Sequence, residues 1–380
     1  MGVLPPHSSA ATPVRIRRWN LSPNRTWACS LLPPPSSLLP PPSLIPLIYT
    51  GGTLGMVRRP DGALEPAGIG GVLEHVPELR RVAACDHFTL EPPRDSVDLG
   101  PADWLALAQH IDRNDDGYDG FVILHGTDTM VYTAAALSFL LEGLRKPVIL
   151  TGAQAPVGDV RTDARNNLIT AVELAASGHP QTAEVGIFFG HHLLRGNRAV
   201  KTSISAFDAF TSPDCPPLAQ VGTAITFPPV PPLPPRPASL RAHRRLETGV
   251  ALVKLFPGLS PDLLGHLIDA PIHGLVLETF GSGNVPATPG LAEVLAEAIA
   301  GRDLLVVAIT QQMQGSVRLE TYAAGRRLLD AGVASGYDMR PHTALVKLMF
   351  LLGQDLDQAE RRRLLTANLR GELTETGSDL

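Results

Sequence analysis

Cysteine is scarce in this chain. Cys29, Cys85 and Cys215 are odd in number and far apart, with no Cys-x-x-Cys pair and no Cys/His cluster at zinc spacing. That spacing argues against a disulfide framework and a structural metal, and for a reducing compartment. A basic excess is missing too: 32 Lys and Arg stand against 37 Asp and Glu, a formal charge of −5. Such a balance offers no electrostatic footprint for nucleic acid. No apolar run is long enough to span a bilayer, so no membrane partner is expected. His191 and His192 are adjacent, but neighbouring side chains on a strand point to opposite faces and chelate poorly.

Acidic residues are also absent at the start: none precedes Asp61. Residues 1–46 are rich in Pro and Ser and carry Arg15, Arg17, Arg18 and Arg25. This composition buries too little surface to offset ordering entropy. Its prolines break both a transit-peptide helix and a signal-peptide core. Residues 1–46 therefore read as a disordered leader or a misassigned start. Pro46 removes a ladder donor and is expected to mark the edge of a short first strand.

What remains is long and apolar enough for two domains, at 380 residues and 44% hydrophobic content. Apolar runs at 120–124, 147–150 and 184–189 alternate with helical patterns at 101–113, 129–141 and 164–176. Strand–helix alternation of this kind predicts a mainly parallel sheet covered on both faces. Residues 47–226 form the expected N-terminal domain. The proline run in 227–248 reads as an extended polyproline linker. Alternation resumes in 249–380, a second, smaller α/β domain.

Two strand ends stand out. Phe121-Val-Ile-Leu-His-Gly-Thr-Asp-Thr-Met130 runs a buried strand into a polar turn and a helix, and Leu44-Ile-Pro-Leu-Ile-Tyr-Thr50 runs into Gly51-Gly52-Thr53. Open α/β sheets bind ligands at the carboxyl ends of their strands, where helix N-termini favour anions. Two threonines in that place, one beside a carboxylate, suggest threonine nucleophile chemistry. A phosphate loop is disfavoured, because neither Gly-x-Gly-x-x-Gly nor Walker spacing is present.

Tyr49-Thr-Gly-Gly-Thr-Leu-Gly-Met56 together with His125-Gly-Thr-Asp-Thr-Met130 resembles the two signatures of bacterial-type L-asparaginases, nearest the cytoplasmic type I enzymes and their animal relatives. The likeness continues through 146–154, Arg195-Gly-Asn-Arg-Ala-Val-Lys201, Glu278-Thr-Phe-Gly-Ser-Gly-Asn284 and Leu369-Arg-Gly-Glu-Leu373. It implies a two-domain asparaginase-like α/β fold with a larger N-terminal, mainly parallel sheet. It implies hydrolysis of L-asparagine without a cofactor, in the cytoplasm, by a homodimer or a pair of dimers. Minor glutaminase activity stays open, as do an asparaginase-like subunit of a tRNA-dependent amidotransferase and a non-catalytic amino-acid-binding protein.

The resemblance assigns Thr53 as primary nucleophile and Thr127, Asp128 and Lys201 as a relay of the Ser-His-Asp type. Taken singly, those three also read as a helix cap, its companion and a surface charge. Gly52, Ser96, Thr127, Asp128, Ala153 and Asn284 are implied to hold substrate. Ser96 reads equally as a helix cap, and Asn284 as a residue donated across a subunit interface or as a Gly/Asn turn. The loop 57–64 lacks the tyrosine that several relatives use, and Tyr322 has the chemistry to replace it or simply packs at a helix start. Val97 stands where some relatives have a polar residue, which implies weaker substrate binding. No cysteine lies in Thr310-Gln-Gln-Met-Gln-Gly315, where some type I enzymes carry one in an effector site.

Overall fold

A computed structural model describes residues 14–18, 43–58, 61–62, 64–66 and 68–374. Cys29 and the side chains of residues 57–60 lie outside that description. The N-terminal half is built on a nine-stranded sheet. Its strands are β1 (Arg15–Arg18), β2 (Leu44–Tyr49), β3 (Ala84–Glu91), β4 (Phe121–Leu124), β5 (Val148–Thr151), β6 (Val185–Phe189), β7 (His192–Arg195), β8 (Ala219–Val221) and β9 (Ile225–Thr226). They lie in the order β1-β3-β2-β4-β5-β6-β7-β8-β9. The centre, β3 through β6, is parallel, and both flanks are antiparallel.

This order has one reversal that matters. From β2 the chain moves outward to β3, then crosses back and places β4 on the other side of β2. The carboxyl ends of β2 and β4 therefore flank the topological switch point, where connections diverge and leave a crevice. α1 (Gly68–His75), α2 (Pro101–Asn114), α3 (Met130–Leu140) and α4 (Ala164–Ala176) cover the faces. α2 and α3 pack into one core, and α1 and α4 into the other. In α3 every residue but Tyr132 is buried, as an apolar helix with no polar stripe requires.

The C-terminal half holds four parallel strands, β10 (Val250–Lys254), β11 (Gly274–Thr279), β12 (Leu305–Thr310) and β13 (Ala334–Ser335). α5 (Pro261–Ile268), α6 (Leu291–Arg302) and α7 (Ala323–Asp330) cover one face. α8 (Pro341–Gly353) lies on the other and joins the core of α3, with Phe139 stacked on Phe350 at 5.7 Å between ring centroids. α9 (Gln358–Thr366), which the sequence patterning did not suggest, follows with Asp357 as its cap. The two halves thus share one hydrophobic core. Among the described residues no helix is long and apolar enough to cross a membrane.

Three expectations change. First, part of the segment read as an unfolded leader is a strand: β1 pairs antiparallel with β3, the parallel array's edge. Ile16 packs on the core, while Arg17 meets Glu91 at 2.9 Å and Arg18 meets Asp86 at 2.7 Å. An open ladder and acidic partners on β3 supply what composition alone does not reveal.

Second, Pro46 lies inside a six-residue strand and does not shorten it. Leu44 N–H donates to the Asp119 carboxylate and Thr50 N–H to Leu124 O, both on the β4 side. Pro46 has the same parity, and pairing with β4 begins only at Leu47, so no ladder bond is missing.

Third, the proline run is a docked strap. Its triplets Pro-Pro-Val230, Pro-Pro-Leu233 and Pro-Pro-Arg236 match the period of polyproline II, and Pro229, Pro232 and Pro235 are exposed. Val230 packs on the N-terminal core, and Arg236 Nη1 donates to Leu144 O at 2.6 Å and Ala183 O at 2.8 Å.

Candidate active site

The turns after β2, β4 and β5 converge with the 94–96 segment. Gly52 sits at φ +89°, and a Cβ there would lie 2.5 Å from Gly126 Cα and N. A Cβ on Gly126 would in turn meet Ser96 Oγ at 2.7 Å, and one on Gly152 would meet His125 O at 2.4 Å. The close neighbour is backbone at Gly52 and Gly152 and the Ser96 side chain at Gly126. Thr53, which opens a short 3-10 turn at 53–55, thus stands on the turn that packs against the one bearing Thr127. Replacing Gly52 with alanine is expected to cut kcat/KM at least about a hundredfold, since both its positive φ and the contact with Gly126 forbid a methyl. A near-normal kcat/KM in that variant would show that the two turns need not touch.

Lys201 completes the centre. It ends the short strand Val200–Lys201, and its ammonium donates to Thr127 Oγ1 at 2.8 Å and Asp128 Oδ1 at 2.6 Å. The lysine side chain is 14% exposed, whereas that of Asp128 is 60% exposed and faces the open side. Lys201 is therefore no free surface charge, and Thr127 does not cap α3, whose N-cap is Thr129. Nor is Ser96 a cap. Asp95 caps that turn by accepting from Val97 N–H, and Ser96 is buried with its carbonyl receiving Thr129 Oγ1 at 2.5 Å.

Ala153 is buried on the turn after β5. Asp163 holds that turn by accepting from the N–H groups of Gln154 and Ala155, and Asn167 donates to Gly152 O at 3.0 Å. Asn284 closes a turn with Phe280 that contains Gly281 and Gly283, both at positive φ. Tyr322 starts α7 with 55% exposure. Both lie in the C-terminal half, and among the described residues neither has a hydrogen bond to the Thr53, Thr127 or Lys201 turns.

Some supporting residues escaped the sequence reading. His125 is fully buried, its Nδ1 2.6 Å from Gly126 O and its Nε2 2.9 Å from Thr133 Oγ1, which accepts from Trp104 Nε1 at 3.0 Å. The segment leading to Lys201 is bolted to the chain's end. Arg198 Nε donates to Gly371 O, Asn197 Nδ2 to Arg370 O, and Arg198 pairs with Asp338, each at 2.9 Å. The 369–373 motif signalled importance but not this role.

Residues 44–231 match the family model "Asparaginase, N-terminal", and residues 249–365 match "Glutaminase/Asparaginase C-terminal domain". The chain belongs to the asparaginase family. Within that family, L-asparaginase 1 of Escherichia coli K12 is 42% identical over 330 residues, covering 86% of this chain and 96% of its own. The human 60 kDa lysophospholipase is 41% identical over 353 residues, covering 86% of this chain and 61% of its own. The crystal structure of L-asparaginase I from Vibrio cholerae superposes with a TM-score of 0.80 at 39% identity, covering 88% of this chain and all of that one. The two-domain asparaginase architecture expected from the motifs is present, and the likeness to type I enzymes holds over most of the chain. Among the described residues of this asparaginase-family chain, no cluster of three or more His, Cys, Asp or Glu could hold a metal ion.

Proposed function

We propose that this chain hydrolyses L-asparagine to L-aspartate and ammonia, with Thr53 as nucleophile. The observation that carries the reading is Lys201 bridging Thr127 and Asp128 on the turn packed against that of Thr53. Thr53 Oγ attacks the side-chain amide carbon, the C–N bond breaks, and nitrogen leaves as ammonia after gaining a proton. Water then attacks the resulting ester and releases aspartate and the threonine hydroxyl. Thr127 and Lys201 carry protons between these steps, and Asp128 keeps the pair aligned.

Substrate recognition follows from charge. Asp128, facing the opening, takes the α-ammonium; Ser96 and the backbone of Gly52 and Thr127 take the α-carboxylate; Ala153 lines the amide end. Asn284 is donated to the cleft of a neighbouring protomer in a cytoplasmic homodimer, or a tetramer of two dimers. Tyr322 remains the candidate to assist Thr53 from a moving or neighbouring segment. The test is ammonia release from asparagine and glutamine over a concentration series, with light scattering to give the assembly. Asparagine turnover is expected, reduced at least about ten-thousandfold in Thr53→Ala. Equal release by wild type and that variant rules out Thr53 as nucleophile, and no release by either rules out the activity.

A further inference from the structure

The strap at 227–237 carries more proline than its docking uses. A polyproline II helix has three edges, each formed by every third residue. The edge Val230, Leu233 and Arg236 turns toward the protein: Val230 packs on the N-terminal core, and Arg236 donates to the Leu144 and Ala183 carbonyls. Three backbone carbonyls at the same period pin the chain. Pro228 O accepts from Gln181 Nε2 at 2.7 Å, Pro231 O from Arg195 Nη2 at 2.9 Å and Pro237 O from Arg145 Nη2 at 3.2 Å. The rings on the other two edges take no part. Pro231, Pro232 and Pro235 are exposed, and Pro234 is half-buried. Among the described residues the carbonyls of Pro232 and Pro235 accept no hydrogen bond.

The carboxyl end of the strap is basic. Arg145 is exposed, and its guanidinium reaches Pro237 O and Ala238 O, both at 3.2 Å. Arg236 lies near enough that burial and the Arg145 charge push its guanidinium downward. Among the described residues neither arginine forms an ion pair with a carboxylate, and the neighbouring Glu184 is already paired with Arg195 at 2.7 Å. Two like charges without a counter-charge thus stand at one end of an exposed apolar ridge. Their complement is an apolar groove with an acidic rim at one end.

We propose that the strap is a docking surface for a partner domain whose aromatic-lined groove ends in acidic side chains. Aromatic grooves read polyproline helices, and they gain affinity from a helix that is already ordered. The groove takes the rings of Pro231–Pro232 and Pro234–Pro235, and Arg145 meets the acidic rim. The third edge stays on the protein's own body. Gln181, Arg195 and Arg145 hold the strap in place before the partner arrives, so docking orders little new chain. None of the docking residues belongs to the Thr53, Thr127 and Lys201 centre, and the proposal stands apart from the hydrolysis reading.

The probe is a fluorescently labelled Src-homology domain that reads Pro-x-x-Pro ligands with a basic end, titrated with the full-length protein. Binding is expected, and its affinity is expected to fall at least about threefold from about 0.05 M to about 0.5 M salt. The double variant Pro232→Ala/Pro235→Ala is expected to bind at least about tenfold more weakly, and Arg145→Glu at least about fivefold. A WW domain without an acidic rim is expected to bind wild type at least about fivefold more weakly than the first probe. Melting temperature shows that each variant is folded.

No binding with about 1 mM of the probe domain overturns the proposal. So does an affinity that the double proline variant leaves unchanged, because the proline runs at 33–35 and 40–42 then supply the ligand. An affinity untouched by Arg145→Glu and by salt, or a WW domain that binds equally well, overturns the charge match that selects the partner. Should the double variant fail to fold, Arg145→Glu and the salt series decide, since Arg145 is exposed and its replacement leaves the inward edge of the strap intact.

Discussion

Replacing Lys201 with methionine is expected to lower kcat on asparagine about a thousandfold, about 4 kcal/mol of transition-state stabilisation, while KM moves less than about fivefold. Methionine preserves the length and packing of a side chain that is 14% exposed, so the loss isolates the amine. That amine contacts Thr127 Oγ1 and Asp128 Oδ1 together, and without it the hydroxyl has no proton partner. Asp128→Asn should behave differently. Its carboxylate is 60% exposed toward the opening, so KM is expected to rise along with a fall in kcat. Groups that act as a unit are non-additive, so Lys201→Met combined with Thr127→Val should be little worse than either alone. Steady-state ammonia release across these variants checks this. A double variant whose losses multiply would separate Thr127 from Lys201, and so would a Lys201→Met variant retaining more than about a tenth of wild-type kcat.

Replacing Lys347 with methionine is expected to destabilise the fold by about 3–5 kcal/mol, a fall in Tm on the order of 10 °C. Lys347 on α8 meets Glu372 at 2.6 Å, and both side chains have 0% exposure. Removing one partner leaves the other charge buried without its counter-charge, which is the costly case. Glu372 also accepts from the N–H groups of Leu369 and Arg370, so it shapes the tail that receives Arg198. Burial raises its carboxyl, but Lys347 and those N–H groups outweigh it and hold the group below its usual 4.5. A depressed folded value means the stabilisation is fully present above about 4.5 and is lost as pH falls through the lower folded value. Calorimetry against pH should therefore show the gap between wild type and Lys347→Met narrowing in acid. Pairing Lys347→Met with Glu372→Gln should recover part of the loss. A single variant within about 1 kcal/mol of wild type would mean that the pair contributes little.

Legibility differed sharply among elements. Helices α4 and α5 lie where the apolar patterning put them, because an amphipathic stripe is a local signal. The four-residue apolar runs of β4 and β5 were equally plain, being buried on both faces. β1 was not, since Ile16 among arginines becomes a strand only when β3 presents an open edge with Glu91 and Asp86 within reach of Arg17 and Arg18. The strap at 227–237 showed its conformation in its triplets but not its docking, which depends on Leu144 and Ala183 carbonyls far along the chain.

The sequence by itself determined the alternation of strand and helix, the two glycine-bearing turns and the family, because these reside in short contiguous patterns. Only the tertiary structure decided that Lys201 reaches Thr127 and Asp128, that Asp95 and not Ser96 caps its turn, and that His125 faces inward to Gly126. Which side chains meet depends on strand order and domain packing. A hydrogen bond depends on separations of a few ångströms between residues dozens of positions apart, and no local pattern encodes those separations.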